Sequence, residues 1–294
     1  MVRIGVDFGG TKIEAAAIDD AGAVVSRIRL PNPREYPAAL STVRTLVEQV
    51  EAQTGQTCAR VGLGIPGSIS PATVRVRNAN STWLNDRPFV VDIADALGRE
   101  VRIENDANCL ALSEAADGAG EGAGVVFAAI LGTGVGGGVV VDGRLLHGPN
   151  AVAGEWGHSP LPWPAADEHP GPPCWCGRRG CIEQWLSGPA FQRDHGDGLT
   201  ATEIAEWAMR DDRPAAASLM RYLDRLGRAL AVVVDLIDPD VIVLGGGVSK
   251  IPQLYDQLPR AIAPHVFSDA FTTPVLPARW GDSSGVRGAA RLWP

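Results

Sequence analysis

The chain has no surplus of basic residues and no long unbroken hydrophobic run. Of its 294 residues, 26 are Lys or Arg and 34 are Asp or Glu, which gives a formal net charge of −8. An acidic chain lacks the basic surface that a nucleic-acid backbone requires, so we expect no nucleic-acid partner. The most apolar long stretch, residues 125–141, is interrupted by glycines and is too short to span a bilayer.

A secretory signal is also missing, because Asp7 occurs before any apolar stretch can form. We therefore expect a soluble, cytoplasmic protein with no membrane partner. With 45% apolar and 20% charged residues, the composition is ordinary for a globular enzyme. A chain of this length folds into one large domain or two medium ones.

Cysteine is scarce, and its distribution points to a metal site. Five cysteines are an odd number, which in a reducing compartment favours metal or free thiols over a disulfide framework. Three of them lie within eight residues, at Cys174, Cys176 and Cys181. A closed tetrahedral zinc site needs a fourth ligand, for which His158 and His169 are the candidates. The pattern predicts structural zinc, whereas Cys58 and Cys109 are interpreted as small core residues.

Hydrophobic periodicity predicts a mixed α/β chain, with apolar residues alternating in short strands and recurring at helical spacing in longer segments. The predicted strands cover 2–7, 12–18, 23–29, 60–65, 101–104, 125–131, 138–141 and 241–244. The predicted helices cover 38–53, 106–116, 201–210, 214–237 and a short segment from Gly285. The proline- and cysteine-rich segment 158–182 is predicted to be irregular.

One arrangement occurs twice: a strand, a glycine-rich turn and a second strand, at 2–18 and again at 125–141. The repetition predicts a duplicated α/β fold with a cleft between its halves. Glycines at 118–124 suggest the boundary. The expected domains are a small one, residues 1–118 joined by the C-terminal helix 285–294, and a large one, residues 119–284 with the loop 158–182.

The glycine-rich turns are candidate phosphate-binding sites, because glycine lets backbone N–H groups approach a phosphate closely. The candidate residues are Asp7, Gly9, Gly10, Thr11 and Lys12 in the first turn, Gly132, Thr133 and Gly134 in the second, and Gly246 and Gly247 in a third. Asp7 could hold Mg²⁺ through water. The alternative is that these are ordinary structural turns. The first is not a P-loop, because a strand follows where a P-loop requires a helix.

Asp106 is the candidate catalytic carboxylate, since it stands where a predicted strand meets a predicted helix. Transfer of a phosphoryl group to a hydroxyl needs a carboxylate that accepts the hydroxyl proton. The alternative is that Asp106 only caps the helix. Asn105 can hydrogen-bond to sugar hydroxyls. Glu155 and Glu183 flank the cysteine segment and could do the same, or could be solvated surface charges.

These segments together resemble the ROK family of bacterial sugar kinases. They are DFGGTK (7–12), GIPGSISP (64–71), ENDANCLALSE (104–114), LGTGVGGG (131–138), GEWGH (154–158), CWCGRRGCIE (174–183) and VLGGG (243–247). They extend along the whole chain. The resemblance implies a duplicated actin-like and hexokinase-like (ribonuclease H-like) ATPase fold, with two domains, a cleft and a homodimeric assembly.

The resemblance also implies roles by position, with Asp106 as the general base. Sugar hydroxyls would be bound by Gly67, Ser68, Asn80, Asn105, Asp106, Glu155, His158 and Glu183. ATP and Mg²⁺ would be held at the glycine turns, with residues 4–11 and 133–140 on the phosphates and Gly246 and Gly247 on the adenosine side. Zinc would be held by His158, Cys174, Cys176 and Cys181, with His169 as the alternative histidine because the spacing before Cys174 is long.

Three segments resemble the fructokinase of the manno(fructo)kinase type: 78–85, 154–163 and 281–294. We therefore expect ATP-dependent phosphorylation of the 6-hydroxyl of fructose. Kinases for mannose, glucose or N-acetylhexosamine are the alternatives.

Two other functional classes fit the sequence less well. Some ROK members are sugar-responsive repressors with a helix-turn-helix before the first glycine turn. Here six residues precede Asp7 and the chain is acidic, so we expect an enzyme. A zinc-dependent interaction module would leave the two glycine hairpins and Asp106 unexplained.

Overall fold

The computed structural model describes residues 1–293, which form twelve strands and nine α-helices. The strands are β1 (Val2–Phe8), β2 (Lys12–Asp19), β3 (Val24–Pro31), β4 (Arg60–Ile65), β5 (Ser68–Ile69), β6 (Val76–Arg77), β7 (Glu100–Asn105), β8 (Val125–Leu131), β9 (Val135–Val141), β10 (Arg144–Leu145), β11 (Val241–Gly245) and β12 (Val275–Pro277). The helices are α1 (Tyr36–Thr54), α2 (Phe89–Leu97), α3 (Asp106–Asp117), α4 (Glu183–Leu186), α5 (Gly188–His195), α6 (Ala201–Met209), α7 (Arg213–Ile237), α8 (Gln253–Ile262) and α9 (Ser284–Ala290).

Two five-stranded sheets share one topology. The first has the order β3-β2-β1-β4-β7 and the second the order β10-β9-β8-β11-β12. In each, three strands form an antiparallel meander and two further strands continue in parallel from its first strand. The repeat seen at the two glycine turns therefore extends to whole sheets, and the predicted duplicated fold is confirmed.

Each sheet buries its own core. Helix α1 covers the first sheet with the residues that recur at helical spacing, and Val43, Leu46 and Val50 are fully buried. Helix α7 covers the second sheet with a longer apolar face that includes Leu226 and Leu230. Burying one such side chain contributes about 1.5–3 kcal/mol, so these faces fix which side of each helix meets its sheet.

The last helix, α9, returns to the first sheet. It packs on β1 and β4, and a side chain at Gly5 or Gly62 would overlap backbone atoms of α9. Helix α3 packs on α9 and also on β8 and β9 of the second sheet. Because α3 contacts both halves of the fold, the boundary expected near 118 remains a prediction.

The predicted elements are present, with β9 starting at Val135 and α1 longer by a few residues. Segment 158–182 is irregular apart from short 3₁₀ turns. Sequence analysis did not identify helices α2, α5 and α8 or strand β12. Helix α8 contains Pro259, and α2 starts without a side-chain cap, so the usual start and continuation signals are missing there. No helix within residues 1–293 is long and apolar enough to cross a membrane.

Candidate active site

Asp106 is the first residue of α3, directly after β7. The helix cap is Asn105, whose Oδ1 accepts a 2.8 Å hydrogen bond from the backbone N–H of Ala107. The Asn105 Nδ2 group donates to the carbonyl of Gly67 at 2.9 Å, which ties the β7–α3 junction to the turn after β4. Asn105 therefore caps α3, and the Ala107 N–H is shared with Oδ1 of Asp106 at 2.8 Å, while Asp106 also lines the cleft.

Two neighbouring pockets meet at Asp106. The first, here named the polar pocket, is lined among others by Gly67, Asn80, Asn105, Asp106, Thr133, Gly134, Glu155, His158, Trp175 and Glu183. The second, the glycine pocket, is lined by Asp7, Phe8, Gly9, Gly10, Thr11, Arg34, Pro66, Asn80, Asp106 and Thr133. Asp106, Asn80 and Thr133 line both pockets. A molecule in the polar pocket would thus meet a molecule held at the glycine turn beside the Asp106 carboxylate.

Two acidic groups near this junction have raised pKa values. Burial raises the pKa of Asp106 to about 6, and the negative charge of Glu155 acts in the same direction. Burial also raises the pKa of Asp7 to about 7, with a further contribution from the Asp106 carboxylate. A carboxylate whose pKa lies just below neutrality is suited to accept a proton during turnover.

Glu183 is held in the polar pocket from two sides. Its Oε2 accepts a 3.1 Å hydrogen bond from the backbone N–H of Val135, and its Oε1 accepts one of 2.7 Å from the indole of Trp175. A Cβ atom at Gly134 would lie 2.7 Å from Oε2 of Glu183. A larger residue at position 134 would therefore clash with Glu183 in the polar pocket. The contact of Gly134 with phosphate remains a prediction.

The predicted metal ligands form one group, here named the thiol cluster. The ligand atoms of His158, Cys174, Cys176 and Cys181 all lie within 4.8 Å of one another. His169 is exposed and is not in the group. The Sγ of Cys174 lies 3.6 Å from Nδ1 of His158, and the sulfurs of Cys176 and Cys181 are also 3.6 Å apart. These separations fit the roughly 3.5–3.8 Å edges of a zinc tetrahedron with Zn–S bonds of about 2.3 Å and Zn–N bonds of about 2.0 Å.

Several predicted residues lie outside the two pockets. Ser68 lies next to Arg77 and lines a separate small cavity on the other side of Asn105. Lys12, Gly132, Gly246 and Gly247 line neither the polar pocket nor the glycine pocket. Gly246 has a φ of 89° and packs against the backbone at the end of β8, so it has a structural reason to be glycine. The ATP contacts of these residues remain predictions.

Arg34 was not identified from the sequence, although it lines the glycine pocket. The side chain of Asn32 donates to the carbonyl of Gly9 at 2.7 Å, and its Oδ1 accepts from the backbone N–H of Arg34 at 2.9 Å. These bonds hold a cation beside the first glycine turn. No periodicity or motif marks this loop, so only the three-dimensional contacts could find it.

Trp175 and Arg193 also line the polar pocket without having been predicted there. The Trp175 ring packs edge-on against the imidazole of His158, with the ring centroids 4.7 Å apart. The position of Trp175 between two cysteines could have indicated this from the sequence, because a loop that binds a metal holds the residues within it in fixed positions.

Known proteins are similar to this chain along its whole length. An N-acetyl-D-glucosamine kinase of Yersinia pseudotuberculosis is 39% identical over 297 residues, which cover 98% of this chain and 97% of that protein. The ROK hexokinase of Thermus thermophilus has a TM-score of 0.86 and 32% identity, covering 99% of this chain and 97% of that one. A ROK family glucokinase from Streptomyces griseus, solved in complex with glucose and AMPPNP, has a TM-score of 0.81 and 30% identity, with 99% of each chain covered.

The expected fructokinase type is wrong, because the relative that is 39% identical is named an N-acetyl-D-glucosamine kinase. The fold explains why two of the guiding segments misled. Residues 284–290 form α9, which is largely buried against the first sheet and α3, so its sequence reflects packing. In 78–85, Leu84 is buried, and the Asn85 side chain exchanges hydrogen bonds with the backbone of Ala79. The buried residues of these two segments reflect the packing of the scaffold, whereas Asn78 and Asn80 line the polar pocket.

The comparison with protein families agrees with the fold and with the full-length relatives. The ROK family profile matches residues 3–294. This chain belongs to the ROK family.

Proposed function

We propose that this protein transfers the γ-phosphoryl group of ATP to the 6-hydroxyl of N-acetylglucosamine. The observation that carries the proposal is the position of Asp106, which lines both the polar pocket and the glycine pocket. Support for the acceptor sugar comes from the relative named N-acetyl-D-glucosamine kinase. Support for the nucleotide comes from the glucokinase structure, whose ligand AMPPNP is an ATP analogue.

The polar pocket has the groups that a sugar requires. Glu155 and Glu183 offer carboxylate oxygens, and a carboxylate that accepts a hydroxyl proton binds more tightly than a neutral acceptor. Asn105 uses Oδ1 and one N–H within the protein, so it positions the junction and retains its second N–H for a sugar hydroxyl. The acceptor hydroxyl would lie at Asp106.

Asp106 would remove the proton of the 6-hydroxyl as the oxygen attacks the γ-phosphorus. The bond between that phosphorus and the β–γ bridging oxygen breaks, ADP leaves, and the proton stays on the Asp106 carboxylate until it passes to solvent. A pKa of about 6 leaves Asp106 mostly ionised at neutral pH and still basic enough to accept a proton.

The glycine pocket would hold the phosphates through backbone N–H groups near Gly9 and Gly10, with the guanidinium of Arg34 close by. Asp7 would hold Mg²⁺ through water, since hard oxygen ligands suit that ion. Bound Mg²⁺ would offset charge on the transferring phosphoryl group. Zinc in the thiol cluster would have a structural role, by fixing His158 and the segment that carries Glu183.

The test is a coupled ADP-release assay with N-acetylglucosamine, N-acetylmannosamine, glucose, mannose and fructose as acceptors. We expect the highest kcat/KM with N-acetylglucosamine and a 6-phosphate product by NMR. Asp106→Asn should reduce kcat about 10²–10⁴-fold, the usual contribution of a general base, while sugar binding is retained. Near-normal turnover of that variant would contradict the role of Asp106.

Glucose is the second candidate acceptor. The Streptomyces griseus glucokinase binds glucose within a fold of TM-score 0.81 to this one. A kcat/KM for glucose above that for N-acetylglucosamine would favour this second function, while leaving the phosphoryl-transfer chemistry intact.

A further inference from the structure

The polar pocket continues past His158 into a neighbouring pocket that we name the outer subsite. It is lined by Asn78, Val152, Glu155, His158, Trp175 and Arg178, among others. Four of these, namely Asn78, Glu155, His158 and Trp175, also line the polar pocket, so the two spaces are continuous. Asp106 does not line the outer subsite. The outer subsite therefore lies at the end of the pocket away from the proposed reacting centre.

The position of the reacting hydroxyl orients the sugar. If the 6-hydroxyl lies at Asp106, then ring carbon 5, which bears the exocyclic CH2OH group with that hydroxyl, lies at the inner end of the polar pocket. Carbon 2 is across the pyranose ring from carbon 5. A substituent on carbon 2 consequently points away from Asp106 and toward the outer subsite.

The side chains of the outer subsite match an acetamido group. Such a group has a methyl, a carbonyl oxygen that accepts hydrogen bonds and an N–H that donates one. Val152 and Trp175 are 47% and 56% exposed and provide apolar surface. Asn78 and Arg178 provide N–H donors, and Glu155 provides an acceptor. A hydroxyl at carbon 2 could not cover the apolar surface or use all the polar groups.

The Trp175 side chain, which provides part of the apolar surface of the outer subsite, is held in place without a bound sugar. Its indole N–H donates to Glu183 at 2.7 Å, and its ring packs edge-on against His158. Fixing a side chain in advance reduces the entropy lost on binding. We propose that the outer subsite binds the 2-acetamido group of the sugar, an inference that rests on the proposed function and assigns residues to its specificity.

A second cavity shares Glu155 with the polar pocket and the outer subsite, and it is the rival location. It is lined in part by Ile69, Ile103, Asn105 and Ala153. Asp106 does not line this cavity, but Asn105, which directly precedes Asp106, lines it and does not line the outer subsite, so the cavity lies nearer the reacting end of the sugar. Its position suits hydroxyls near carbon 6 rather than a substituent on carbon 2.

The test compares kcat/KM for N-acetylglucosamine with kcat/KM for glucose in single variants. Val152→Phe fills the outer subsite and should lower this ratio about tenfold or more, within the 10–200-fold range for a pocket that gains or loses small apolar groups. Val25→Phe is the matched control, because Val25 is 50% exposed on β3 and lines none of these pockets, so it should leave the ratio within twofold.

Two further measurements keep the test independent of misfolding. Val152→Ala enlarges the subsite and should raise the turnover of N-propionylglucosamine relative to N-acetylglucosamine. Asn78→Gly removes an amide donor without backbone strain, because the φ of Asn78 is 58°, which glycine adopts freely. This variant should also lower the ratio of N-acetylglucosamine to glucose.

The outcomes separate the subsite from the proposed function. A wild-type ratio below one contradicts the proposed function and the subsite with it. The subsite alone is overturned if the wild-type ratio is above one and both Val152→Phe and Asn78→Gly change that ratio by less than twofold. If Ala153→Val lowers the ratio and Val152→Phe does not, the acetamido group binds in the rival cavity, and this result also overturns the inference.

Discussion

The indole N–H of Trp175 donates a 2.7 Å hydrogen bond to Oε1 of Glu183, eight residues further along the chain. Trp175 stands between two residues of the thiol cluster, Cys174 and Cys176, and its ring packs against a third, His158. One side chain thus connects the cluster with two proposed sugar-binding residues.

Trp175→Phe should retain the ring and remove the hydrogen bond to Glu183. Hydrogen bonds to charged groups contribute about 1.5–3 kcal/mol, so KM for the sugar should rise about tenfold while KM for ATP stays the same. Steady-state kinetics with each substrate varied in turn will measure this. Trp163→Phe is the control, since Trp163 is equally exposed, at 56%, and lines neither pocket. Equal changes in both KM values would argue against a specific role for Trp175.

Activity should depend on pH through the two raised pKa values. Asp106, with a pKa of about 6, and Asp7, with a pKa of about 7, become protonated as the pH falls. We expect kcat/KM for the sugar to be highest near pH 8 and to fall on the acid side through apparent pKa values between 6 and 7. A profile that is flat down to pH 5 would contradict the prediction, and full recovery on return to pH 8 would exclude acid unfolding.

Asp106→Asn should stabilise the protein at neutral pH. A carboxyl whose pKa is raised on folding binds its proton more tightly in the folded state than in the unfolded state. Proton binding to Asp106 therefore adds to the free energy of unfolding at low pH, and this addition is lost as the pH rises from about 4 through about 6. A rise in pKa of about two units corresponds to a gain of at most about 3 kcal/mol. Thermal unfolding at pH 4.5 and 7.5 should show the variant gaining stability at the higher pH only.

The control for this experiment is Asp86→Asn, because the Asp86 side chain is 88% exposed. It should show no gain that grows with pH. If Asp106→Asn is less stable than the wild type at both pH values, burial is not what raises the pKa of Asp106.

Arg34→Gln should weaken ATP binding. The guanidinium lines the glycine pocket, and loss of one charge-assisted hydrogen bond to phosphate should raise KM for ATP about tenfold. Arg44→Gln is a suitable control, because its side chain is 56% exposed on α1. A larger change in KM for the sugar than in KM for ATP would contradict the assignment of Arg34 to ATP binding.

Cys176→Ser should lower the zinc content and weaken sugar binding while ATP binding remains nearly intact. The thiol cluster adjoins His158 and Glu183, whereas the first glycine turn lies on the other sheet. Elemental analysis and calorimetry on one preparation will measure metal and both affinities, with Cys58→Ser as the thiol outside the cluster. Retention of one zinc per chain, or unchanged sugar affinity after its loss, would disprove the coupling.

Sequence reasoning succeeded where one local signal decides the outcome. The duplicated topology follows from two strand–turn–strand units, and the thiol cluster follows from three cysteines within eight residues. It failed where a position depends on distant contacts. Arg34 is placed by Asn32 and Gly9, and the glycine requirement at Gly134 comes partly from Glu183, nearly fifty residues away. The sugar was mistaken in part because the tail 281–294, whose helix α9 is largely buried, was taken as evidence of specificity.

The return of α9 to the first sheet has a consequence for synthesis on the ribosome. Gly5 on β1 packs against the backbone of Val286. Strand β1 therefore cannot complete its packing until α9, some 280 residues later in the chain, has been synthesised. Contacts of such sequence separation form slowly, and a nascent chain exposes its incomplete surfaces in the meantime. The second sheet, whose strands lie within residues 125–277, can complete its pairing earlier. Of the two sheets, the one synthesised first is therefore the one whose packing can be completed last.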